Sequence, residues 1–61
     1  MKRRELVRWL EENGAEFVRE GRRHTIYRKD IYRTEVPRHT EIVDVLAKKI
    51  CKDLKISFRR E

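Results

Sequence analysis

Two short stretches carry the residues that could do chemistry. In the first, Gly21-Arg22-Arg23-His24-Thr25-Ile26-Tyr27-Arg28, a glycine turn and two arginines lead to a histidine at the head of a β-branched, aromatic run; the second is Val36-Pro37-Arg38-His39. Histidine ordinarily changes charge between about pH 5 and 8. Arginine presents a planar fork that grips phosphate at two points. Together they suit a phosphodiester: cations hold it and steady charge in the transition state, and an imidazole moves a proton. His24 is therefore the candidate acid–base group. Arg22, Arg23, Arg28, Arg33 and Arg38 are candidate phosphate ligands, and Tyr27 and Tyr32 are candidates to stack on unpaired bases. Each has a plainer alternative: a surface histidine with no task, a solvated cationic face, ordinary sheet packing. His39 either assists His24 or orders the start of the helix that follows Pro37.

Other chemistries find little support. Cys51 borders an apolar helical face and reads as a small buried hydrophobe rather than a nucleophile. Two histidines, one cysteine and no close carboxylate cluster do not make metal-ligand spacing, and no phosphate-binding glycine loop for a nucleotide is present. No cofactor is expected.

With 61 residues the chain makes a single domain, 1–61, and a domain this small buries only roughly 60% of its unfolded surface. Charged residues are 46% of the chain, yet its apolar residues fall into periodic groups, which argues for a folded domain. The net charge of +6 is unevenly placed. Residues 1–18 balance four basic against four acidic groups. Residues 19–39 carry seven against three, with both histidines, and residues 40–61 carry six against four. The excess in the middle third points to a localised anion-binding surface, with nucleic acid as the leading partner and an acidic protein second. One cysteine fits a reducing compartment. No apolar run approaches the roughly 20 residues of a membrane span, and no apolar signal-peptide core follows the basic N-terminus. The expectation is a soluble, cytoplasmic protein with no membrane partner.

These residues must be positioned by few elements. Residues 2–13 read as a helix with Leu6, Val7 and Leu10 in its apolar stripe, Trp9 at the edge, and Gly14 at the left-handed position that stops it. Strands are predicted over 15–20, 24–28 and 31–36, with turns at Gly21–Arg23 and Lys29–Asp30 and with Pro37 ending the last pairing. By alternation Ile26 and Tyr27 face opposite sides, and Ile26 is the better core candidate. A last helix starts near Thr40 or Glu41, capped by Thr40, with Ile42, Val43, Leu46, Ala47, Ile50 and Leu54 on its apolar face. Residues 57–61 read as a frayed end. The loops are too short for crossovers, so the strands form an antiparallel meander. The fold class is α+β: α-β-β-β-α, a three-stranded antiparallel sheet with both helices on one face, like a double-stranded-RNA-binding domain.

Lys2-Arg3-Arg4-Glu5-Leu6-Val7 through Leu10, Gly21 to Arg28, Val36-Pro37-Arg38-His39 and Leu46 to Leu54 together resemble, in order and over nearly the whole chain, the HicA toxins of HicA–HicB toxin–antitoxin modules. The resemblance implies an mRNA interferase: a metal-independent endoribonuclease with a single catalytic histidine on the strand after the glycine turn, here His24, held in check by a HicB-like antitoxin. Two departures stand out. Arg22 and Arg23 replace the glycine and small residues that many members have before the histidine, and the turn between the second and third strands is short. The alternatives are a non-catalytic RNA-binding module of the same fold, or an interaction domain that docks an acidic protein.

Overall fold

The computed structural model describes residues 1–58. Five elements follow in the predicted order: α1 (Arg3–Glu12), β1 (Glu16–Glu20), β2 (His24–Lys29), β3 (Tyr32–Pro37) and α2 (Asp44–Asp53). The strands form one antiparallel sheet in the order β1-β2-β3. Leu6 and Leu10 of α1, Ala47, Ile50 and Cys51 of α2, and Tyr27 and Val36 of the sheet share a single buried cluster, so both helices cover one face. The other face is open. No helix among the described residues is long and apolar enough to cross a membrane.

The stop of α1 follows its sequence closely. Gly14 takes φ +98°. The Ala15 and Gly14 N–H groups donate to the carbonyls of Leu10 and Glu11 at 2.9 and 3.1 Å. This double closure satisfies carbonyls that the helix leaves unpaired. The end of α2 repeats it without glycine. Ile56 and Lys55 donate to Cys51 and Lys52 at 2.9 and 3.0 Å, with Lys55 at φ 59°.

Several details depart from expectation. The second helix starts at Asp44, not at Thr40 or Glu41, and its N-cap is Val43 with no side-chain cap. Residues 40–42 are held elsewhere: Thr40 accepts from the Arg3 N–H at 2.8 Å, Ile42 donates to Met1 at 2.7 Å, and Lys2 and Glu41 form an isolated bridge. Backbone groups used in this extended pairing are not available to a first helical turn. Ile42 is buried from that extended segment, whereas Val43 is exposed rather than part of the apolar face. Ile31 lies in the two-residue turn with Asp30, exposed, and the third strand begins at Tyr32. Ser57 and Phe58 are docked, not frayed: the Trp9 indole donates to the Ser57 carbonyl at 2.8 Å, and Phe58 packs against the core. Residues 59–61 of that predicted frayed end lie outside the described residues.

The parity of β2 is the departure that matters most. Tyr27 enters the helix-covered core, while Ile26 is also buried but on the other face, under Gly21. The Tyr27 ring meets Phe17 edge-on with centroids 6.1 Å apart. Burial pushes the Tyr27 phenol above its ordinary range, because the charged form loses solvation. Thr25 and Thr34 are buried on the same face and satisfied. Thr25 Oγ1 accepts from Arg3 and donates to Glu20, and Thr34 Oγ1 donates to Asp53.

Gly14 gives a direct test of the helix stop. An added Cβ there meets only the flexible Lys29 side chain, at 3.4 Å, so the cost of Gly14→Ala is conformational, about 1–2 kcal/mol for an L-residue held at positive φ. The expected outcome is a midpoint lowered by roughly 5–15 °C, read by circular dichroism melting. An unchanged midpoint would mean that the helix end relaxes without strain.

Candidate functional site: a histidine at the mouth of a cationic sheet face

Direct opposition across the ladder defines the open face. Ile26 opposes Arg19 and Glu35, Arg28 opposes Glu16 and Arg33, and His24 opposes Pro37. A bulge between Phe17 and Arg19 shifts the β1 register by one residue. It turns Arg19 to the open face and returns Glu20 to the side of Thr25. Without the extra residue, alternation would put Glu20 on the opposite face.

His24 heads β2 and is 41% exposed at its side chain, accessible enough to meet a macromolecular substrate. It lines three surface clefts. One, of about 290 Å³, is floored by Ile26 and walled by Arg19, Arg22, Arg23 and Glu35. A second, of about 560 Å³, runs between Arg22, Arg23 and His24 on one side and Pro37, Arg38 and His39 on the other. The third lies between β3 and α2, with Arg33, Glu35, Lys49 and Asp53 in its wall. Their volumes are close to or within the roughly 300–1,000 Å³ usual for ligand clefts.

The turn that presents His24 is tight. The Gly21 N–H donates to the His24 carbonyl at 2.7 Å. A Cβ at Gly21 would stand 2.9 Å from that carbonyl oxygen, closer than real side chains approach, so glycine is required here by contact rather than by φ. Ile26 packs under the same glycine, its Cδ1 3.6 Å from where that Cβ would sit.

The predicted site residues divide. Arg22 and Arg23 are exposed beside His24 and, among the described residues, have no carboxylate partner. Arg28 shares the face but sits farther along it, 3.5 Å from Glu16. Arg38 lines the cleft, yet its guanidinium is turned into the protein. Nε donates to Glu20 Oε1 at 2.8 Å, Nη1 to the Arg22 carbonyl at 3.2 Å, and Nη2 to the carbonyls of Gly21 and His24. Tyr27 does not belong to the site: its ring is in the core on the opposite face, so it has no surface on which a base could stack. Tyr32 stays partly exposed under the Lys55 ammonium, 5.4 Å from the ring centroid. His39 stands well before the start of α2 and faces the same cleft as His24. Cys51 is fully buried, and burial raises its thiol above the ordinary range. Among the described residues, no three His, Cys, Asp or Glu side chains gather to hold a metal.

Glu35 joins the site without any local sequence signal. Its Oε1 lies 3.8 Å from His24 Nδ1. The only signal for it is the strand register, since Glu35 opposes Ile26, two residues from His24. That distance is longer than a hydrogen bond and makes an ion pair only with a protonated ring.

A small α+β domain with two helices on one sheet face, and a histidine among arginines at the rim of the other, is the class that these observations define. A sequence model described as the HicA toxin of bacterial toxin–antitoxin systems matches residues 3–56, and the chain belongs to this toxin family. Membership implies an antitoxin partner. No curated protein and no solved structure matches the chain significantly.

The Arg38 guanidinium, followed by the Thr25 hydroxyl, holds the Glu20 carboxyl below its ordinary value of 4.5. A depressed pKa means that protonating Glu20 loosens its contact with Arg38, and because the pair is exposed the effect on global stability is small. The expected outcome is a Glu20 carboxyl that titrates below 4.5 by NMR in wild type and moves upward in Arg38→Gln. An unmoved titration in Arg38→Gln would show that Arg38 does not hold the carboxylate.

Proposed function

We propose that this toxin is an mRNA interferase that cuts single-stranded RNA at His24 without a metal. The observation that carries the reading is the convergence of three clefts on one half-exposed histidine, two of them walled by Arg22 and Arg23. RNA brings its own nucleophile, the 2′-hydroxyl, so no serine or cysteine is needed. The Glu35 carboxylate lies on the Nδ1 side of the ring, 3.8 Å away, so Nε2 is the ring nitrogen left to meet the substrate. Nε2 takes the 2′-hydroxyl proton, the O2′–P bond forms, the P–O5′ bond breaks, and solvent supplies the proton to O5′. Arg22 and Arg23 hold the phosphate and stabilise the charge that develops on its oxygens.

Incubation of wild type and His24→Ala with mixed RNA in EDTA tests this. Wild type is expected to cut. Folded His24→Ala is expected to lose roughly 10²–10⁴-fold, and a 2′-deoxy at the cut site is expected to block cleavage. Equal cleavage by folded His24→Ala would remove His24 from the chemistry. RNA binding with no cleavage by wild type would assign the non-catalytic RNA-binding module instead.

The antitoxin, on this reading, is an acidic HicB-like protein encoded beside the toxin that covers His24 and the arginines around it. Opposite charge makes association fast and salt-sensitive, and binding to the folded state raises the melting temperature. Mixing the two proteins is expected to protect His24 from diethylpyrocarbonate and to stop RNA cleavage. A tight complex in which His24 stays fully reactive would refute inhibition by masking.

A further inference from the structure

We infer that Arg38 is the positioning residue of the His24 turn and not an RNA ligand. Three carbonyl oxygens, those of Gly21, Arg22 and His24, converge on one guanidinium, and the Glu20 carboxylate takes its fourth side. Converging carbonyl dipoles repel each other, and a cation between them removes the repulsion. The acceptors lie in different directions, which suits the five fixed donors of guanidinium and not the three of a compact ammonium. The chain of contacts continues. Glu20 Oε1 also accepts from Thr25, Thr25 accepts from Arg3 Nη2 at 2.8 Å, and Arg3 Nε donates to the carbonyl of Pro37, the residue opposite His24, at 2.8 Å. The backbone on both sides of His24 is thus tied through Arg38 and Arg3 to β1, β3 and the first turn of α1.

Arg38 and Glu20 are 41% and 57% exposed at their side chains. An ion pair that exposed adds little to global stability. Its effect is therefore local: it holds the turn at one geometry, and with it the imidazole at the head of β2. A residue holding phosphate through solvent-exposed charge would behave differently. Lysine would replace it in large part, and its loss would lower the salt dependence of RNA binding by about one counterion.

The test compares wild type, Arg38→Lys and Glu20→Gln by amide hydrogen exchange and by the His24 ring resonances. For Arg38→Lys the expected result is an unchanged melting temperature, exchange at the Gly21 and Thr25 amides at least about tenfold faster, a shifted His24 ring signal, and an unchanged salt slope for binding to a single-stranded oligoribonucleotide. Glu20→Gln, which keeps the charge of Arg38 and weakens one of its anchors, is expected to move the same amides in the same direction. The activity arm rests on the nuclease reading: kcat should fall at least about tenfold with KM nearly constant, because geometry rather than binding is lost. Wild-type exchange in Arg38→Lys would overturn the proposal, as would full cleavage by it. An Arg38→Gln protein whose only change is a salt slope reduced by one would make Arg38 a phosphate ligand instead. If wild type cuts no RNA the nuclease reading fails, while the exchange and resonance data still decide the role of Arg38.

Discussion

The pleat of the central strand is the constraint on which this molecule depends. β2 is paired on both sides, and its residues alternate between a helix-covered core and an open face. Thr25 and Tyr27 go inward; His24, Ile26 and Arg28 go outward. A slip of one residue would bury His24 and expose Tyr27. Two commitments prevent it. The Tyr27 ring sits among core side chains, and the Thr25 hydroxyl is bonded on both sides, to Arg3 and to Glu20. The same alternation that builds the core therefore delivers the histidine to the rim.

A chain of 61 residues can bury only a modest core, and the turn that carries His24 lies at its margin. Packing alone cannot hold such a turn: Ile26 meets it only under Gly21, and Arg22 and Arg23 are solvent-exposed. Hydrogen bonds to backbone carbonyls hold it instead, with charged donors that are stronger than neutral ones. Global stability and local site geometry thereby rest on different residues: leucines and isoleucines between the helices and the sheet for the first, and Arg3, Thr25, Glu20 and Arg38 for the second.

The basic character of the chain also divides by task. Arg3 and Arg38 brace the fold, Lys49 pairs with Asp53, and Arg28 faces Glu16. Arg19, Arg22, Arg23 and Arg33 have no carboxylate partner among the described residues and gather around His24 and Glu35. Arg28 and Arg33 oppose each other directly across the sheet, an arrangement of like charges that destabilises a ladder. An anionic ligand on this face would relieve that repulsion, whether it is the RNA or the acidic antitoxin of the proposed function.

The sequence by itself determined the order of elements, the glycine stop after α1, the antiparallel meander and the burial of Cys51. These follow from local signals: 3.6-residue periodicity, Gly14 at positive φ, short turns, and an apolar helix face. It also placed His24, Arg22 and Arg23 together, because they are consecutive. Only the tertiary structure decided the rest. Ile26 and Tyr27 are adjacent and both apolar enough to be core, so alternation made them opposite and pointed to Ile26 as the inner one; the helices chose Tyr27, and Ile26 is buried on the other face. Thr40 has a capping side chain, but residues 40–42 are drawn into pairing with residues 1–3, which delays α2 to Asp44. Arg38 reads as one more surface cation until the β1 bulge brings Glu20 to its side and three carbonyls turn towards it. Glu35 joins His24 through strand register alone. Pairings between distant segments depend on how elements pack, and no local pattern of residue types encodes them.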